Sequence, residues 1–352
     1  MLTTNDRHDE RLPRRTTATT NDCGVPMTLL PRPGLSAIVT VAAAALLSVS
    51  MPPNAPAFAP DVHGTILRAA LPPAPGDGGV DDLALAEITG SLLTGTGNEG
   101  SDLFQGDAFR HFDNAAGPAD VCDRARDAWN FFVPAVIAGA QPAGPPEFRT
   151  PVNGFGARSA FGGLTHALAD FYSHSNWVEV AVAANRAPGL APLFPTCDPA
   201  ALPAGLHTGF FELTPANGLD GCPSGPPAPP AGSSVPPSEG PPAPPASFEE
   251  CHLTLNKDDP GTLRGREPVP GQDGTTYHQL AVQLAVEHTT ALYREVRGLV
   301  AGSVPGGVDG ECVTDNLFQA ARFAPCAVPA PTSVFPERIS VQPVGVAPSP
   351  PA

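Results

Sequence analysis

Residues 155–182, FGARSAFGGLTHALADFYSHSNWVEVAV, carry apolar side chains at helical spacing over the longest such run before the middle of the chain. Within it His166, Asp170 and His174 stand at i, i+4 and i+8, so they share one helical face and advance about 6 Å per step. Leu164, Leu168 and Phe171 interleave with them, so the same helix also packs. Imidazoles and a carboxylate on one stripe suit zinc, and Asp170 in the middle is placed to bridge two ions. Either histidine alone would read as a core or surface residue. Two of the nine histidines bracketing an aspartate at matched spacing point instead to a metal site. Glu179, five residues past His174, lies about 140° off the stripe in an unbroken helix and is a further candidate.

Outward from this helix the pattern stays helical. Asp61–Leu71 and Val80–Leu93 read as two helices joined by the breaker PPAPGDGG. Gly95–Asn114 is polar and glycine-rich and reads as a loop; its HFDN string adds His111 and Asp113 as candidate ligands. Pro118–Ala140 reads as a helix that Pro134 kinks or divides. Thr275–Val300 is a second long helix carrying His278 and His288, about 15 Å apart along the axis, too far for both to serve one compact cluster. With no long alternating β pattern and no internal repeat, the expected fold is an all-α multi-helix bundle. It spans residues 60–301, interrupted by a solvated Pro-rich insertion at 223–247. A Cys-containing segment and Pro-rich tail follow at 302–352.

Of 352 residues 46 are proline and 36 glycine, which leaves one foldable domain of roughly 240 residues, enough for a real core. The 35 acidic and 19 basic side chains give a net charge of -16, which disfavours a surface that binds a nucleic-acid backbone. It does not exclude anionic substrates, since a divalent metal supplies local positive charge. Residues 1–59 form an N-terminal extension with the apolar run LSAIVTVAAAALLS at 35–48 and small residues at Ala55, Ala57 and Ala59. This predicts a secretory signal peptide, with translation starting at Met27 and the run too short for the competing reading of an uncleaved membrane anchor. Export leaves six cysteines, Cys122, Cys197, Cys222, Cys251, Cys312 and Cys326, for disulfides of open connectivity.

Competing enzyme signatures are missing from the sequence: it has no G-x-S-x-G, no H-E-x-x-H and no G-x4-G-K-[ST]. Gly95, Gly97 and Gly100 spell G-x-G-x-x-G, but without the strand-to-helix context of a dinucleotide site. Ser173 and Ser175 flank His174 yet do not face it on a helix.

Several segments together resemble a known family. HALADFYSHSNWVEV resembles the core motif of Het-C, the fungal heterokaryon-incompatibility protein, and of the N-terminal regions of related von Willebrand factor A-domain-containing proteins. DVHGTILRAAL, HFDN, LHTGFFEL and TLNKDDP resemble further segments of that family in the same order. The family is in turn similar to the all-α zinc-dependent phospholipases C and the three-zinc single-strand nucleases. The resemblance implies two or three zinc ions held by His63, Asp113, His166, Asp170, His174 and His278, with His111, Glu179 and His288 as further candidates. It also implies secreted phosphodiester hydrolysis in which Asp113 or Asp170 orients or deprotonates the attacking water. A phospholipid or other small phosphodiester is the expected substrate, with peripheral membrane contact. No partner protein is implied. The sequence departs from the family pattern on the last long helix, where Val282 and Leu292 follow His278 and His288 in place of a carboxylate. That departure favours the alternative, a non-catalytic recognition or structural protein on the same scaffold with a residual metal site.

Overall fold

Fourteen consecutive residues, Phe161 to His174, are buried, so the helix that carries them is enclosed on every side rather than amphipathic. A computed structural model describes residues 60–75, 78–93, 95–143, 150–212, 222, 249–305, 308–321 and 326. The expected signal peptide, the Pro-rich insertion and the Pro-rich tail lie outside the described residues.

The elements in chain order are α1 (Pro60–Ala70), α2 (Asp82–Thr89), α3 (Gly97–Gly100), a 3-10 turn (Ser101–Phe104), α4 (Ala108–His111) and α5 (Pro118–Ala140). A two-residue hairpin, β1 (Pro142–Ala143) with β2 (Thr150–Pro151), leads into the enclosed helix α6 (Gly154–His174). Then come α7 (Trp177–Ala183), a 3-10 turn (Pro199–Ala201), α8 (His252–Leu255), α9 (Tyr277–Ser303) and α10 (Gly310–Phe318). The described residues are thus all-α apart from that hairpin and isolated bridges. Helix α6 packs against α2, α3, α4, α5 and α9, and its Phe161, Leu164, Leu168 and Phe171 fill the core they enclose.

Local chemistry sets the boundaries, including those the sequence pattern misplaced. Helix α2 is shorter than the periodic run because Asp81 caps Ala84 N (2.8 Å) and Gly90 closes the helix at φ 89°. Residues 95–114, expected as a loop, fold into three short helical turns. Helix α5 runs through Pro134 undivided; the carbonyl that Pro134 leaves unpaired, at Asn130, belongs to an exposed residue. Helix α6 stops at His174 because Ser175 bridges Thr208 and Asn176 pairs through its backbone N and side-chain oxygen with His207. The Thr276/Gln279 capping box starts α9. Helix α10, absent from the sequence reading, starts at the Asp309 cap.

The six expected cysteines form three disulfides: Cys122–Cys197, Cys222–Cys251 and Cys312–Cys326. In the chain-entropy account each contributes about 3 to 5 kcal/mol by restricting the unfolded chain. None of the described helices is long and apolar enough to cross a membrane.

Close approach of α3 to α6 depends on Gly162, where an added Cβ would stand 2.1 Å from Ile88 O and 2.7 Å from Asn98 N. Gly162→Ala gains about 1 kcal/mol of helix propensity but forces backbone apart in a packed core, which at so close an approach costs about 2–3 kcal/mol, the upper part of the overpacking range. Chemical denaturation should therefore show a net loss of about 1–2 kcal/mol; unchanged or increased stability would contradict this packing.

Candidate metal centre

A buried helix that carries Thr165, His166, Asp170, Ser173 and His174 must find partners for all of them, because unpaired buried polar groups are costly. The partners come from every side. Helix α1 brings His63, the first 3-10 turn Asp102, α4 His111 and the turn after it Asp113; α8 brings His252 and the loop behind it Asp258. Together with α6 these make four overlapping groups whose potential ligand atoms lie within 4.8 Å of one another: His63/His166/Asp170, Asp102/His111/His166, Asp113/His174/His252 and Asp170/His174/Asp258. All but Asp102 are buried.

Asp170 is the shared member. Its Oδ1 lies 3.3 Å from His63 Nε2, and its Oδ2 lies 3.0 Å from both His166 Nε2 and His111 Nδ1. His174 links the second half, with Nε2 3.1 Å from both oxygens of Asp258 and Nδ1 3.7 Å from Asp113 Oδ1. His252 Nδ1 is 2.9 Å from Asp113 Oδ1.

Outer contacts fix which ring nitrogen faces inward. His166 Nδ1 donates to Asn98 Oδ1 (3.4 Å), and Asn98 Nδ2 donates to Thr165 Oγ1 (3.2 Å). Burial pushes the pKa of His166 down to about 3, so its ring is neutral and Nε2 bears a lone pair. That lone pair faces Asp170 Oδ2, His111 Nδ1 at 3.2 Å and Asp102 Oδ1 at 3.5 Å. One hydrogen on His111 cannot satisfy them all. His174 is oriented in a similar way, with Nδ1 donating to the His111 carbonyl (3.2 Å) and Nε2 directed at the Asp258 carboxylate.

The residues fit divalent cations. Tetrahedral ligands at about 2.0–2.1 Å from an ion stand about 3.3 Å from each other, and the N···O and N···N separations here, 2.9–3.7 Å, bracket that edge. Both Asp102 oxygens, His111 Nε2 and Asp170 Oδ1 are buried without a hydrogen bond among the described residues. The protein's own groups push neighbouring pKa values in opposite directions. Burial drives Asp102 up to about 7. Burial also opposes charge on His174, but Asp258 and Asp170 outweigh it and raise its pKa to about 10. Burial likewise opposes charge on Asp170, yet His166, His174 and hydrogen bonds from the histidines hold it well below the usual carboxylate range. Positive charge at the centre relieves four carboxylates crowded in this way.

Of the sequence-derived candidates, the structure brings His63, His111, Asp113, His166, Asp170 and His174 together. It does not bring in His278, Glu179 or His288. His278 Nδ1 donates to Lys257 O (2.8 Å) from the first turn of α9. Glu179 is not on an unbroken continuation of α6; it sits in α7, where it pairs with Lys257 Nζ (3.1 Å) and Arg264 Nε (3.7 Å). His288 lies in the core, its Nδ1 accepting the Tyr172 hydroxyl (2.8 Å), which itself accepts from Ala191 N (3.0 Å). Sequence reasoning missed Asp102, His252 and Asp258, the last standing in the NKDD string already singled out. Asn256 Oδ1 accepts Asp258 N (2.8 Å), Ser173 Oγ donates to Asp258 Oδ1, and fully buried Lys257 donates to Ser175 O (2.8 Å) and Leu255 O (2.9 Å). This loop is thus bolted to the end of α6, with Asp258 aimed inward.

A family model described as the VWA7 N-terminal domain matches residues 152–191, the stretch that holds α6 and its three candidate ligands. That domain is related to the Het-C and von Willebrand factor A N-terminal family. No curated protein matches the chain, and no solved structure does.

His288 gives a pH prediction separate from the metal ligands. Burial pushes its pKa down to about 4, below the unfolded value of about 6.5, so the unfolded chain takes up its proton first. Its contribution to stability is complete above about pH 6.5 and lost as pH falls towards about 4. Across that window, denaturation of His288→Asn should have a slope against pH shallower than the wild type by up to about one proton. Equal slopes would show that the ring is not held neutral.

Proposed function

We propose that this chain is a secreted zinc-dependent phosphoesterase, similar to phospholipase C in scaffold and centre. The observation that carries the reading is the sharing of Asp170 between two ligand groups, an arrangement suited to two or three ions rather than one. Bound divalent zinc supplies Lewis-acid stabilisation of a phosphoryl oxygen and a lowered pKa for the attacking water. The chain's part is to hold that chemistry in place. Asp170 spans the two halves, Asn98 and the His111 carbonyl orient the rings of His166 and His174, and Asp113 or Asp170 orients or deprotonates the attacking water. The net charge of -16 favours a phospholipid or other small phosphodiester over nucleic acid. The three disulfides agree with an oxidising compartment and support secretion.

One observation favours the second reading, a recognition or structural protein with a non-catalytic metal site. Among the centre's side chains the most accessible are Asp102 at 16% and His252 at 9%, which leaves substrate a narrow approach.

Elemental analysis and a bis(p-nitrophenyl) phosphate assay separate the two. The expected result is two or three zinc ions in protein purified without added metal, with turnover abolished by a chelator and restored by zinc. Asp170→Asn should lose at least one ion and on the order of 100- to 1,000-fold in rate. Full metal content with no turnover of this diester or of phospholipid would establish the scaffold reading; no bound metal would defeat both.

A further inference from the structure

Beside the metal centre lies a small pocket that the ligand set does not use. It has a volume of about 240 Å³ and lies between the α3 turn, α5 and the N-terminal half of α6. Glycine backbone forms much of its wall, Phe104, Phe131 and Phe132 line it, and Arg110 is the single charged side chain in the lining. For a chain of net charge -16, a pocket whose lining holds an arginine and no carboxylate is against the trend.

Two of its polar groups are prepared for a ligand. The Arg110 guanidinium is clamped over Phe104 (4.5 Å) and Phe131 (4.8 Å), with Phe132 and Phe109 at 5.2 and 5.4 Å. Asp107 Oδ2 accepts from its Nε (2.9 Å), and among the described residues this is its one ion pair and its two terminal nitrogens make no hydrogen bond. Independently, Ser101 lines the same pocket, is 1% exposed, and has a buried Oγ without a hydrogen-bond partner among the described residues. A buried hydroxyl without a partner and a forked donor held rigid by aromatic rings are the kinds of donor that an oxyanion needs.

The position ties the pocket to the centre. Ser101 precedes Asp102 and Arg110 precedes His111, so the backbone that carries the pocket's polar residues runs directly into two candidate ligands, whose side chains point elsewhere. The exposed side chains Leu103, Phe104 and Phe131 supply an apolar rim. The volume is below the roughly 300–1,000 Å³ of drug-sized ligand sites, so the occupant is a headgroup-sized fragment.

We infer that Arg110 and Ser101 form an oxyanion subsite that binds a phosphate or carboxylate group on a compact apolar body, and that it selects substrates carrying such a second anionic group beside the scissile phosphodiester. The selection rests on the phosphoesterase reading; the binding does not.

Calorimetric titration with phenylphosphonate and with benzoate, on chelated and on zinc-loaded protein, tests the binding and distinguishes a phosphate from a carboxylate preference. At least one of the two should bind the chelated protein. Its affinity should fall at least tenfold in Arg110→Met, which keeps an apolar stem over the rings, and about fivefold in Arg110→Lys, which keeps charge but not the fork. Ser101→Ala should weaken it about threefold, with melting temperatures within a few degrees of wild type. Binding that vanishes on chelation, or that Arg110→Met and Ser101→Ala leave unchanged, would overturn the subsite while leaving the metal reading intact. Selectivity is read from p-nitrophenyl diesters with a carboxylate-bearing or an equally sized neutral alcohol. Wild type should favour the charged diester in kcat/KM and Arg110→Met should not; equal rates for both diesters in wild type would overturn the selection. Intact anion binding in a protein that turns over neither diester would defeat the phosphoesterase reading and keep the subsite.

Discussion

The buried carboxylate of Asp170 is the constraint on which the rest of the structure turns. It sits in the middle of a helix enclosed on all sides, where an isolated charge is untenable unless opposite charge surrounds it. Meeting that demand draws His63 from α1, His111 from α4 and His166 from its own helix to within 3.3 Å. His174 extends the same network to Asp113, Asp258 and His252. Fold and site are therefore one arrangement: the helices that close the core are those that deliver the ligands.

The supports around the centre are as specific as the ligands. Gly162 lets α3 come close enough for Asn98 to reach His166. Lys257, His278 and Glu179 hold the loop of Asp258, so two residues with the chemistry of ligands act as its framework instead. The Cys222–Cys251 disulfide anchors the residue next to His252. Arg158, paired with Glu87 (2.5 Å) and donating to Leu317 O (2.7 Å), ties α6 to α2 and α10 away from the metal ligands.

Much of this was legible in the sequence, for physical reasons that also explain what was not. The i, i+4, i+8 stripe on α6 is a local property, so His166, Asp170 and His174 stood out. His111 and Asp113 stood out in the HFDN string, and His63 through the resemblance of its segment to a known family. Asp102, His252 and Asp258 reach the centre only through tertiary contacts, from short turns with too few residues to display a period, and sequence spacing carries no trace of that. His278 misled because an imidazole near a site suits a ligand and a loop anchor equally; which it is depends on the Lys257 carbonyl opposite. The assumption of an unbroken helix beyond His174 failed because the bridge from Ser175 to Thr208, 33 residues on, decides that boundary.

The central claim is that Asp170 joins two cation positions in one centre. Anomalous diffraction at the zinc edge, from crystals of protein purified without added metal, tests it most directly. At least two peaks are expected, each among one of the candidate ligand groups that share Asp170. A single peak distant from Asp170, or none, would contradict it.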